Sequence, residues 1–543
     1  AQLSGAAGLK LFDFARSMSG VLLLSLLLGI ACFLLPGSLS YGLSLFFLWA
    51  ASPYLAKLVS SPTPRKLLKP LAPADISYLH KNARRIWRFF STFVTAEDNH
   101  LPPDNFQEDP HPVVAHRSSP TNFGLYLLST LAARDFGWIG LHEMAGRLER
   151  SLISMRDLPR YEGHFYNWYE TAERRALEPR YISSVDNGNL AGHLLAVAQG
   201  CEEYVNGHKI SLAFNTGLLT TFQLLEEAST FLLKKGNNLG AAEASLLAAL
   251  EETSDALLPG ENGAKPQFWA KLEDNARALK EAAAISFAQN SSEPAYAEVS
   301  HWAEGFCADI ESHREDQKLL GSYGFYAEEK LPAGYPPGIT EAWEKIRGQL
   351  QQMVTLSEAP SHSEMLLSEL EIFEGDLKKI SLELPKFLAP LKISLKESLK
   401  NALILSDQLR EVIRLCHQLF REMDFGLLYD PVRKLFSIGY RVGEAELDPS
   451  YYDLMASEAR LTSFVAIAKG DVPASHWFRL GRGLTVVDRR PVLISWSGSM
   501  FEYLMPSLVM QTPEGSLMDQ TNRLIVKRQI QYGHERSVPW GIS

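Results

Sequence analysis

The sequence holds only four cysteines, Cys32, Cys201, Cys307 and Cys416, which stand far apart without a CxxC pair or a Cys/His cluster. That argues against a disulfide framework or a zinc site, and it suits a reducing compartment. A basic excess is also missing. The formal net charge is −10, no basic stripe is present to neutralise phosphates, and nucleic acid is not an expected partner. There is no GxGxxG turn, Walker loop, HExxH or GxSxG, so the usual signals of nucleotide binding and of the common hydrolases are lacking. Neither a metal nor a cofactor is expected in this region.

Charge is absent altogether from Ser17 to Ala56. Two apolar runs, about 18–35 and 40–56, flank Pro36 and Gly37, and basic residues lie on both sides (Lys10 and Arg16; Lys57, Arg65, Lys66 and Lys69). Residues 1–59 are therefore expected to form a membrane hairpin with both ends in the cytoplasm and lipid as a partner. A cleaved signal peptide fits poorly, because the apolar part is too long. Residues 60–74, with Pro62, Pro64, Pro70 and Pro73, read as a linker.

From residue 75 onward the chain alternates in style. Helical patterns over 75–205 are separated by loops dense in polar and aromatic residues. Asp75 is a plausible N-cap for the first helix, and the helix 122–132 is capped near Ser119 or Thr121. Helix, aromatic-polar loop, helix is the trace of an α/α toroid, although a stack of paired helices without a cavity would look similar. Residues 206–422 carry heptad-like apolar spacing and read as an inserted antiparallel helical bundle. From 423 to 543 the earlier style returns as a second toroid part, expected to continue beyond Ser543. Within it a helix is expected over 452–467, starting near Pro449 and Ser450, then a hairpin of 484–487 with 491–494.

The hairpin delivers the chain to Ser495-Trp-Ser-Gly-Ser-Met-Phe-Glu-Tyr-Leu-Met-Pro506, a Gly/Ser turn that opens a helix and sets Glu502 among Trp496, Phe501 and Tyr503. Aromatic faces stack on sugar rings, and partial burial raises a carboxyl pKa towards general-acid use. A buried capping Glu accounts for the same residues equally well. Glu458, amid Ala456, Ala459 and Leu461, points either into a cavity or to an ion pair with a nearby basic residue. Asp104, Asn105, Gln107, Asn167, Trp168, Asp186 and Asn189 add amides, carboxylates and an indole on further loops, groups that bond sugar hydroxyls and stack on sugar rings.

Several islands carry a family resemblance. Leu101-Pro-Pro-Asp-Asn-Phe-Gln107, Ala115-His-Arg117, Ser119-Pro-Thr-Asn122, Gly163-His-Phe-Tyr-Asn-Trp-Tyr169, Ser184-Val-Asp186, Gly188-Asn-Leu-Ala-Gly-His193, Asp448-Pro-Ser-Tyr-Tyr-Asp453, Ser457-Glu-Ala-Arg-Leu461 and Phe501-Glu-Tyr-Leu-Met-Pro506 resemble the central, glycoamylase-like part of cyclic β-1,2-glucan synthases. The resemblance implies a mainly α, (α/α)6 glycoside-hydrolase-like fold in a bacterial inner-membrane protein, with this part on the cytoplasmic side. It implies a domain that cuts linear β-1,2-glucan and rejoins it as a ring, beside glucosyltransferase and phosphorylase-like domains that this chain does not contain. UDP-glucose belongs to the separate glucosyltransferase part.

The islands add His116, Arg117, Asn122, Tyr169, Tyr452, Arg460, Ser497 and Tyr503 to the expected substrate contacts. Glu502 and Glu458 are the expected catalytic pair, without an assignment of nucleophile and acid. Retention calls for carboxyl groups about 5 Å apart and inversion for roughly 6.5–9.5 Å. A β-1,2-glucan hydrolase and a non-catalytic glucan-holding domain that sets ring length are the alternatives.

Overall fold

The computed structural model describes residues 11–34, 39–60, 70–207, 215–234, 239–257, 266–352 and 354–541. The expected turn at Pro36 and Gly37, and most of the 60–74 linker, lie outside them. The chain divides into two compact units, Ala1–Pro70 with Thr512–Arg523, and Leu71–Gln511 with Leu524–Ser543.

In the first unit the uncharged stretch is shorter in each helix than the sequence suggests. Ser19–Leu34 has 16 residues, Leu39–Ala50 has 12 and Ser52–Ser60 has 9, against the roughly 20 a single span needs. The expected span 40–56 is cut at Ala51, where the Ser52 hydroxyl donates to the Trp49 carbonyl at 2.7 Å and Pro53 opens the next helix. Among the described residues no single helix is long and apolar enough to cross a membrane. Leu11–Ser17 and Ser19–Cys32 reach the length only together, bent by 75°. Small residues bring the two longer helices close: Ser25 donates to the Phe46 carbonyl at 3.0 Å, and Gly29 faces the Phe46 ring.

The second unit is mainly helical and holds three apolar cores. The first gathers Pro73–Phe93, Pro120–Asp135, Leu141–Asp157, Ser184–Glu202, Arg460–Lys469 and the later turns of Leu388–Glu422. Pro73 at the first helical position opens the first of these helices, and Asp75 lies within its first turn instead of capping it. The second core belongs to Asn215–Leu233, Ala241–Leu257, Pro266–Gln289 and Pro294–Asp316, and the third to Pro337–Leu350, Ala359–Lys379 and the start of Leu388–Glu422. The region 206–422 is thus two bundles. Its last helix, 35 residues long and about 52 Å at 1.5 Å per residue, runs from the third core into the first.

Short ribbons join the two halves of the first core. Tyr181–Ser183 pairs antiparallel with Gly439–Arg441, setting Gly439 opposite Ser183 and Arg441 opposite Tyr181. The Ser184 hydroxyl donates to the Ser437 carbonyl at 2.7 Å, 253 positions away in the chain. Helices Ser184–Glu202 and Arg460–Lys469 meet at Gly188, where a Cβ would collide with the Thr462 side chain. The helix expected over 452–467 begins only at Arg460. Tyr451 and Tyr452 instead pair with Ser437 and Phe436, because two aromatic residues after Pro449 suit a strand. Residues 453–459 are left as an irregular loop, and Glu458 stands on it.

Candidate functional site

Three serines open three helices in the same way. Ser119 accepts from the Asn122 amide (3.3 Å), Ser183 from Asp186 (3.2 Å) and Ser499 from Glu502 (3.2 Å). Each cap satisfies a first-turn N–H and fixes a polar residue three positions on.

These residues meet through a chain of bonds. The Thr121 hydroxyl donates to Asp186 Oδ1 at 2.7 Å and accepts from Asn189 Nδ2 at 3.2 Å. Asn189 Nδ2 also donates to Glu458 Oε1. The Asn167 amide, oriented to satisfy its neighbours, donates to Asp186 Oδ2 at 3.0 Å and accepts from Trp168 Nε1 at 3.1 Å. One residue along, Asp104 accepts from Asn122 (3.2 Å), Asn105 (2.9 Å) and Arg117 (3.3 Å), and the Arg117 guanidinium lies 5.0 Å from the Trp168 ring.

Glu458 and Glu502 are close enough to act on one another, yet their surroundings push them apart. Burial lifts the Glu458 carboxyl to about 7; the Asn189 bond opposes this, and the charges of Asp186 and Glu502 add to it. Glu502 is buried too, but the Ser497 hydroxyl and amide and the Trp496 amide outweigh that burial and hold it below the ordinary carboxylate range. Oε1 accepts from Trp496 N at 2.9 Å, and Oε2 from Ser497 N at 2.9 Å and Ser497 Oγ at 2.7 Å. The raised pKa expected of Glu502 therefore belongs to Glu458. Asp186 is raised as well, by burial, which outweighs the lowering effect of the Ser183 and Thr121 hydroxyls. Tyr452 is raised by burial and then by Glu458, Asp186, Tyr181 and Glu502, which places all five side chains in one cluster.

The loop under Glu502 is built for that carboxylate. Gly498 has φ +75, a conformation other residues avoid, its amide donates to Ser495 Oγ at 3.0 Å, and its carbonyl accepts from Gln529 at 3.0 Å. Trp496 gives its backbone N–H to Glu502 and leaves its ring 60% exposed.

Several expected substrate contacts are engaged elsewhere. Tyr169 is fully buried, donates to the Pro159 carbonyl at 2.7 Å and accepts from Tyr166 N at 2.9 Å, so it is core. Tyr503 is buried and donates to the Leu493 carbonyl at 2.9 Å. Arg460 is buried, its pKa brought down to about 10 by desolvation. It donates to Tyr503 O at 2.8 Å and Ser457 O at 3.4 Å, clamping the residue after Glu502 to the residue before Glu458. Gln107 is exposed on a two-stranded ribbon opposite Val113. His116 pairs with the buried Asp98 at 3.0 Å.

Two cluster members escape a reading of the sequence. Thr121 lies inside the island Ser119 to Asn122, where its spacing from the cap offers a signal; Tyr181 sits on a strand with none. Among the described residues no three His, Cys, Asp or Glu side chains are grouped to hold a metal ion.

No family model matches the chain. The cyclic beta-(1,2)-glucan synthase NdvB of Rhizobium meliloti (strain 1021) is 36% identical over 544 residues, a match covering 100% of this chain and 16% of that protein. From end to end, then, the chain is similar to one region of such a synthase and spans a small part of its length.

Proposed function

We propose that this chain is the glucan-cutting and ring-closing region of a cyclic β-1,2-glucan synthase, working on linear β-1,2-glucan by retaining transglycosylation. One observation carries the reading. Two neighbouring carboxyl groups are held in opposite protonation states near neutrality, Glu458 raised to about 7 and Glu502 lowered. A proton-bearing acid beside an ionised carboxylate is the equipment for breaking a glycosidic bond.

In this reading Glu458 gives its proton to the departing glycosidic oxygen while Glu502 bonds the anomeric carbon. Glu458, now a base, then takes the proton of the 2-hydroxyl at the glucan's own far end, which displaces Glu502 and closes the ring. Oε1 of Glu502 is the oxygen with room for such a role, because it accepts only the Trp496 N–H, whereas Oε2 accepts from both Ser497 N and Ser497 Oγ. Asp186 stays behind the pair, and Trp496 offers an exposed ring for stacking.

The helices of the first core are read as part of an (α/α)6 toroid, since Ser119, Ser183 and Ser499 bring three helix starts to this one site. The apolar helices of the first unit are read as seated in the inner membrane with the site on the cytoplasmic side. Glucosyltransferase and phosphorylase-like domains of the same synthase would be its partners.

The test is to mix the full chain with linear β-1,2-glucan and follow size and anomeric form by mass spectrometry and NMR. Rings support the proposal. Shortened linear glucan alone means a hydrolase, and binding without turnover means a glucan-holding domain; either outcome ends it.

A further inference from the structure

Tyr181 has a second neighbourhood. It lines a cleft of about 590 Å³ together with Glu178, Arg180, Arg441, Val442 and Glu444. The floor is the ribbon that pairs Arg441 with Tyr181, and Val442 N donates to the Arg180 carbonyl at 3.1 Å. The tip of the Tyr181 ring lies over Gly439, where a Cβ would strike it, and the same side chain acts on Tyr452 beside Glu458. The Tyr181 carbonyl accepts from Asn167 N at 2.7 Å and the Asn167 amide donates to Asp186 at 3.0 Å, so the strand that lines the cleft is bonded to the carboxyl cluster.

The charges in the cleft are paired. Arg180 Nε bonds Glu178 Oε1 at 3.0 Å, and Arg441 bonds Glu444 and, at 3.2 Å, Glu446. Arg441 Nε is buried without a partner. Two arginines set against the three carboxylates Glu178, Glu444 and Glu446 leave no positive excess to attract an anion. They do offer alternating donors and acceptors beside an aromatic ring, which is what a neutral polyhydroxyl chain needs. The volume is that of a site for several linked rings.

We infer that this cleft holds the glucosyl units of the glucan that lie away from the bond being cut, so that it reads chain length. The inference rests on the carboxyl pair acting on the same glucan. Arg441→Ala removes the donor, and Gly443→Trp fills the space from a position where a Cβ meets nothing within 4 Å.

Both variants of the full chain are compared with wild type on linear β-1,2-glucans of short and long defined lengths. The expected result is a KM for long glucans at least tenfold higher, with KM for the shortest substrates and kcat at saturation unchanged. An unchanged KM at every length, or a kcat lowered equally at every length, overturns it. If the wild type binds glucan without turnover, the reaction reading fails alone. The cleft is then judged by affinity: a length-dependent weakening in both variants upholds it, and equal affinity refutes it.

Discussion

Glu458 and Glu502 share one cluster but are held by opposite means. Around Glu502 the backbone is shaped to the charge: a Ser cap, a left-handed Gly498 and two converging N–H groups. Glu458 stands on an irregular loop, met by the Asn189 amide and by the charges of Asp186 and Glu502. One site is preorganised for an anion and the other is hostile to one. The two carboxyls therefore weaken the fold at opposite ends of the pH scale. The Glu502 contribution is present above about 4.5 and is lost as pH falls through its lowered pKa. The folded Glu458 prefers its proton, so its contribution is present below about 4.5 and is lost as pH rises through about 7.

Glu502→Gln breaks the contrast most severely. Whichever oxygen becomes NH2, it meets a backbone donor, so ring formation should fall at least a hundredfold and the fold should lose about 1–3 kcal/mol at pH 7. Initial rates and chemical denaturation measure the two effects. Glu458→Gln should cost about 10²–10⁴ in rate while stabilising the fold, by about 3 kcal/mol at pH 8 and by almost nothing near pH 4.5. A loss of stability at pH 8 would refute the raised pKa.

Asn189→Leu sharpens the comparison more gently. It removes the one bond that lowers the Glu458 pKa, so the alkaline limb of the kcat/KM profile should move to higher pH; a shift to lower pH would contradict the geometry. It also removes the Asn189 bond to the Thr121 hydroxyl, so the fold is expected to lose about 1–3 kcal/mol with it. Ser499→Ala should have the smallest effect, about 1 kcal/mol from the lost cap, read as a fall in Tm with the pH profile in place.

The helices are legible in the sequence, since heptad spacing over 206–422 leaves few other ways to bury Leu, Phe and Trp. Of the three capping serines Ser119 is legible, whereas Ser183 reads as part of a polar loop and Ser499 as part of a Gly/Ser turn until the folded backbone shows each accepting from the amide three residues on. What composition does not reveal is direction. Tyr169 and Tyr503 stand in aromatic loops like true contacts, but their hydroxyls end on the carbonyls of Pro159 and Leu493. Aromatic neighbours in sequence point to Glu502 as the raised carboxyl; the N–H groups that reverse the shift become visible only once the loop is folded. Asn189 and Glu458, 269 positions apart, meet through tertiary packing that neither local stretch announces. The uncharged run suggests a membrane hairpin, but the break at Ser52–Pro53 leaves each of the described helices there shorter than a span.

The helix Leu388–Glu422 has a consequence for how this site comes into being. Most of the chain between Glu202 and that helix folds around its own two cores, while Leu320, Val354, Leu356 and Ala359 join the first core and Asp316 accepts from His142 N at 2.9 Å. The two bundles are rich in local contacts and are expected to form quickly. The carboxyl cluster needs partners from both sides of that insertion. During synthesis the helices bearing Thr121 and Asp186 must wait through about 250 residues before a ribbon arrives to pair with Tyr181–Ser183. A rigid rod anchored in the finished bundle sets the point from which the returning chain starts, and so shortens the search for those ribbons. The carboxyl cluster is therefore expected to assemble only after the two bundles have formed.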